Sequence, residues 1–319
     1  MTDLVKGVLG GAWALIIGWI LPTFLSLQLI AWSILPSWTS SDTIRGFTGT
    51  STAGRQAILL AVAAVLGLVL AAVKTLLYRI LEGYLLWPQW LASWSTKHQF
   101  TRQRRYKAKS DNALQENKTI RYALLYAKVL RFPAAENQFA PTGLGNAIRR
   151  FEHYASDRYN LDSQLLWHHL AAAAPDRLLK AQDDAHTNVD FFVCVVYGSC
   201  AATVGAVVTL ILRTPDDRLW FALMAGIFAA RIAYHLALVA TDEWDGTVRA
   251  LVDHGRLGVA KAFGLEVPHH LADERGMWRA VNTLVRRPYD YSVSRGVPEK
   301  LDKFRIRPAS SPPSPTPQP

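Results

Sequence analysis

The side chains of this chain best suited to chemistry are acids and bases gathered in two segments. Glu152, Asp157 and Asp162 lie near Arg149 and Arg158 in mid-sequence, and Asp253 lies near Arg256 and Arg275 toward the end. Such carboxylates can serve as general acid and base, but paired carboxylates alone are too common to signal catalysis. Ion pairs joining the middle segment to the C-terminal one are the simpler expectation, with Asp162 capping a helix from Ser163 to Ala174. Gly145-Asn146 follows Pro141-Thr142 close to a helix start, where free backbone donors could hold an anion. The candidates for ligand or partner binding are therefore Gly145, Asn146, Arg149, Glu152, Arg158, Tyr159, Asp162, Trp167, Asp253 and Arg256.

Neither a metal nor a cofactor is expected. His153, His168, His169 and His186, with Asp183 and Asp184, invite a metal reading, but adjacent histidines on a helix point about 100° apart and seldom share one ion. His269-His270 is similarly weak, and no H-E-x-x-H or C-x-x-C pattern occurs. Cys194 and Cys200 fall on different faces of one helical stretch, which argues against a disulfide or a metal pair.

The segment Pro141-Thr142-Gly143-Leu144-Gly145-Asn146, with Arg149, Glu152, Tyr154, Arg158-Tyr159-Asn160-Leu161-Asp162 and Leu166-Trp167, resembles a group of uncharacterised bacterial multi-pass membrane proteins of actinobacterial type. Their cytoplasmic loop reads approximately P-T-x-x-G-N, R, E, R-Y-G-x-D and L-W-P-R-L. Asn160 stands where that pattern has glycine, and asparagine is the next-best residue for a left-handed turn. His168-His169 replaces Pro-Arg, so no role of that arginine carries over. Asp253, Arg256, Pro268, Glu274-Arg275 and Trp278 resemble a second part of the pattern. The resemblance implies an architecture and no established activity.

Four apolar stretches position these segments: Leu4 to Leu35, Ala57 to Leu81, Val189 to Leu212 and Leu219 to Ala240. A bilayer core of about 30 Å needs about 20 helical residues, so each can cross. The expected fold is all-α, a polytopic membrane protein with four transmembrane helices and a helical cytoplasmic module. Its segments are a first span at 1–35, an external loop at 36–56, a second span at 57–81, a cytoplasmic helical region at 82–188 and a third span at 189–212. An external turn at 213–218, a fourth span at 219–240, a second cytoplasmic region at 241–300 and a disordered Pro-rich tail at 301–319 complete it. Pro22 is expected to kink the first span, and Gly18 to admit a close neighbouring helix. Leu114, Ile120, Ala123, Leu124, Ala127 and Leu130 recur at helical spacing and predict one amphipathic helix or two between Thr96 and Arg131. Trp87, Trp90 and Trp94 read as an interfacial anchor behind the second span.

Charge distribution sets the orientation. Fifteen Lys and Arg lie in 82–188 and 12 in 241–319, against two in 36–56 and two in 213–218. The positive-inside rule puts both termini and the long connection in the cytoplasm of a bacterial plasma membrane. The cluster Arg102, Arg104, Arg105, Lys107, Lys109 suits anionic inner-leaflet lipids, and nucleic acid is not expected, since no recognised fold accompanies it. Inside the fourth span, Arg231 and His235, one turn apart, form an intramembrane candidate for ion passage or lipid phosphate. The spans are expected to offer no carboxylate to complete a proton relay, which counts against a pump. The favoured function is a noncatalytic scaffold or signalling component binding a cytoplasmic protein or a second copy of itself. The alternatives are an oligomeric pore or transporter using Arg231, and a lipid-acting enzyme with a site near Glu152 and Asp162. A reporter fused after Arg105 or Arg286 should read as cytoplasmic and one within 42–52 as external; the reverse pattern would contradict the orientation.

Overall fold

The structure is a computed structural model that describes residues 12–38, 42–213, 216–286 and 297–306. It is all-α: α1 Ala12–Ser33, α2 Asp42–Gly49, α3 Thr52–Ala72, α4 Lys74–Glu82, α5 Gln89–Gln115, α6 Thr119–Val129 and α7 Gly143–Glu152. There follow α8 Tyr154–Tyr159, α9 Trp167–Ala173, α10 Asp176–Leu212, α11 Asp217–Ala262, α12 Leu271–Arg286 and α13 Val297–Asp302. Four of them, α1, α3, α10 and α11, are long and apolar enough to cross a membrane. Their outward faces carry large apolar side chains such as Val65, 62% exposed, and Phe228, 69% exposed. Water would penalise such a surface, whereas lipid covers it.

Two compact units divide the chain: residues 1–150 with 180–246, and residues 151–179 with 247–319. In the first, small residues set the helix spacing. A Cβ on Gly67 of α3 would lie 3.0 Å from the Ile20 backbone of α1, and one on Gly18 of α1 would lie 3.3 Å from Asp190 Cβ of α10. Close approach of this kind lets membrane helices gain dispersion contacts where the hydrophobic effect is absent.

Pro22 interrupts the regular α-helical ladder of α1. A π-helical turn over Ile16–Ile20 precedes it, and regular α-helical bonding resumes at Leu21. Hydroxyls add bonds around this turn: Thr23 Oγ1 donates to the Trp19 carbonyl at 2.6 Å, and Ser26 Oγ to the Pro22 carbonyl at 2.9 Å.

Several expected boundaries move. The second span starts earlier, where Ser51 Oγ accepts from the Gly54 N–H, and ends at Ala72; Val73 leaves the helical region and α4 follows as a separate, amphipathic helix. The 36–56 connection contains α2. In the second unit the 163–174 helix begins only at Trp167, because Asp162 Oδ1 closes a turn on the Leu165 N–H instead of starting a helix there. The tail also begins later: Leu301 and Phe304 are buried, and the Glu266 N–H donates to the Phe304 carbonyl at 2.8 Å. Residues 307–319, with the Pro-rich run, lie outside the described residues. The core of this unit gathers Leu161, Leu166, Leu170, Leu251, Trp278 and Phe304.

Candidate functional site: a buried carboxylate, a polar lattice and an outward apolar face

Most acid and base candidates of the second unit converge, but on tyrosines, asparagines and carbonyls more than on one another. Asp253 accepts from Tyr159 Oη at 2.8 Å and from Tyr154 Oη at 3.0 Å. Arg256 donates from Nε to the buried Glu274 at 2.9 Å, from Nη1 to the Asp253 carbonyl, and lies 4.5 Å over the Tyr159 ring. Glu274 also accepts from Trp278 Nε1 at 3.1 Å. Burial and the bond to Asp253 push Tyr154 up to about 12 and raise Tyr159 as well, so both hydroxyls remain donors. Arg158 donates to Tyr159 Oη at 3.0 Å, and Trp167 packs against the core.

Asn160 adopts the left-handed conformation, φ 58°, that its place in the motif implies. Arg275 clamps the turn by donating to the Asp157 and Arg158 carbonyls and to Asn160 Oδ1. The expected pairing of Arg275 with a carboxylate is thus replaced by carbonyl capping, which a planar guanidinium satisfies with several donors at once. Asp162 pairs with Arg286, outside the set foreseen, and the Glu152 carbonyl accepts from Ser163. These bonds tie 152–163 to 253–286 as a structural lattice.

The anion site expected at Gly145-Asn146 is already filled by the protein itself. Thr142 Oγ1 accepts from the Gly145 N–H at 3.0 Å, and Tyr234 Oη accepts from the Leu144 N–H at 3.2 Å. Asn146 is buried and spends its amide on the Ala140 N–H and on the Ala140 and Thr142 carbonyls. With those donors consumed at the helix start, no free anion nest remains there. Arg149, in the same unit, stacks 4.9 Å over Tyr84 and donates to its hydroxyl.

Arg231 and His235 occupy an exposed face of α11 and so do not line the interior of this bundle. The interior instead holds a carboxylate. Asp190, second residue of the third apolar stretch, is 6% exposed, which corrects the expectation that the spans lack an acid. Its Oδ2 accepts from Trp19 Nε1 of α1 at 3.2 Å, and its Oδ1 from Tyr78 Oη of α4 at 2.8 Å. His186, one turn earlier, brings Nε2 to 3.6 Å from Oδ1 and stacks on Trp244 of α11 at 4.6 Å. One turn further, Cys194 Sγ contacts Thr23 Oγ1 at 3.4 Å. The arrangement seats one carboxylate between an indole N–H and a phenol O–H, with an imidazole beside it. An Asp four residues after a His, at the entry of an apolar helix, was the available sequence signal.

Cys194 and Cys200 are both free thiols. Among the described residues no three His, Cys, Asp or Glu side chains converge as a metal site.

The third feature is an outward apolar face on α6. Tyr122, Leu125 and Val129 are half-buried, while Ile120 is 80% and Leu124 64% exposed, with Ala123 and Ala127 beside them. A helix apolar on both faces has one face still uncovered.

Comparison with protein-family models, with curated proteins and with solved structures finds no match. The functional reading therefore stands on these residues.

Two measurements follow. Asp190→Leu strands an indole N–H and a phenol O–H, at about 1–3 kcal/mol each. The purified protein should melt markedly lower, less so for Asp190→Asn, and Trp19→Phe with Tyr78→Phe should recover part of the loss in the leucine variant. For Asp162, burial works to raise its pKa, but Arg286 and the Leu165 N–H outweigh it and hold the carboxyl below its ordinary value. A lowered folded pKa stabilises above the unfolded value and is lost as pH falls. The melting difference between wild type and Asp162→Asn should therefore shrink as pH drops below about 4; a difference that grows on acidification would contradict the pairing.

Proposed function

We propose that the protein is a noncatalytic scaffold or signalling component of a bacterial plasma membrane that binds a protein partner through the outward face of α6. The observation that carries this is the exposed row of Ile120 and Leu124 on a helix whose opposite face is already packed. Arg121 and Lys128 flank the row, and residues 97–131 hold ten Lys and Arg against Asp111 and Glu116. A second copy of the chain would bring like charges together, so the chemistry favours an amphipathic helix with acidic flanks. Positive charge in 82–188 and 241–319 supports a cytoplasmic position for this surface and for both termini. The bacterial origin draws its support from the motif resemblance around 141–170 and 253–278.

A second reading, proton or ion passage, draws on Asp190 and His186 rather than on Arg231. Against it, Thr23, Ser26, Ser33, Thr203 and Thr209 donate to carbonyls of their own helices and not to one another along the bundle.

Ile120→Glu with Leu124→Glu tests the first reading, since both sites are exposed and the fold should tolerate them. Protein purified from its native membrane should lose its bound partner, with affinity weakened about a hundredfold or more, while Arg231→Leu leaves recovery unchanged. Partner recovery that survives the double substitution would refute the surface, and a vesicle proton flux abolished by Asp190→Asn would favour passage.

A further inference from the structure

Helix α5 carries a different surface. At 100° per residue, Trp90, Trp94, Lys97, Arg105 and Ala108 fall on one side, opposite the buried Gln99, Ser110 and Ala113. Trp90 is 73% and Trp94 63% exposed, and Leu85 and Leu86 just before them are exposed as well. Trp94 stacks on His98, and Arg104 is held aside by Phe100 and Glu136. Lys97 and Arg105 on this side, and the exposed Lys109 at its edge, make no ion pair with the described residues. The face thus combines bare indoles at its start with uncommitted cations further along.

We infer that this face of α5 lies on the anionic headgroups of the membrane that the same chain crosses. Indoles prefer the depth between headgroup and acyl chain, where the ring is dry and the N–H is wet. Lys and Arg on the same face then meet lipid phosphates, and their stems cover the apolar rim. Continuity decides between lipid and other polyanions. Only α4 and a short connection separate α5 from the spanning helix α3, so the bilayer is present at high effective concentration, whereas a nucleic acid or acidic protein would have to be recruited. The packed side of α5, away from this face, is the side that meets α6. The lipid-facing surface and the partner-facing surface of the hairpin are therefore separate, and each can fail without the other.

The test uses the full-length protein with Cys200→Ala and Ala108→Cys, carrying an environment-sensitive nitrobenzoxadiazole label at 108. It is reconstituted in vesicles of phosphatidylcholine alone and of phosphatidylcholine mixed with phosphatidylglycerol. The mixed vesicles should shift the label's emission to the blue and make it quenchable by lipids spin-labelled in the headgroup region; salt near 1 M should reverse this, as the Debye length falls to about 3 Å. Lys97→Gln, Arg105→Gln and Lys109→Gln together should remove the response, each cation contributing roughly fivefold. Circular dichroism checks that the triple variant is folded, and the salt titration of the wild-type background decides alone if it is not. A label that stays water-exposed in both vesicles, or that responds equally in both, overturns the inference. So does a shift that appears only when an acidic polypeptide or a nucleic acid is added.

Discussion

One buried carboxylate fixes the membrane part of this molecule. Asp190 receives the indole of Trp19 and the phenol of Tyr78, and sits beside an imidazole stacked on Trp244, so α1, α4, α10 and α11 each send a side chain to the same place. A donor or a charge left unmet in a water-poor interior costs several times a typical net hydrogen bond. Sliding α1, α4 or α10 by one residue would strand at least one of these groups, and the cluster thereby specifies register as well as attraction. Gly18 makes it possible, because a side chain there would press on Asp190 itself. The π turn that absorbs Pro22 also belongs to this arrangement, since it spans Trp19 and leaves its carbonyl to Thr23 and Cys194.

Outside the bundle the polar chemistry is of another kind. Asp253, Arg256, Glu274 and Arg275 spend their bonds on holding turns and helix ends. The residues richest in potential chemistry are thus consumed by the fold, and uncommitted character is found on the α5–α6 hairpin. There, cations without acidic partners and apolar side chains without cover lie on opposite sides of one helical pair. The proposed lipid contact and the proposed partner contact divide between those sides.

The spans were legible because apolar runs of such length have few other uses. Asn160 was readable because few side chains tolerate its conformation. Asp190 escaped because its meaning depends on the rotation of α10 relative to α1 and α4, which no periodicity within α10 encodes. The two helices between Thr96 and Arg131 were legible from spacing, but both faces of α6 are apolar, and spacing cannot say which of Ile120–Leu124 or Tyr122–Leu125–Val129 turns inward. Gly145-Asn146 read as an open anion nest only because the partners that fill it, Tyr234 above all, are remote in sequence. Leu301 and Phe304 were hidden by the Pro-rich run behind them.

On the proposed function the two sides of the hairpin face different surroundings. Photoreactive amino acids placed singly at Leu124 and at Trp90, and activated in intact cells, test it most directly. A polypeptide adduct from Leu124 together with a lipid adduct from Trp90 is the predicted result. Lipid adducts from both positions, or a polypeptide adduct from Trp90 and none from Leu124, would contradict it.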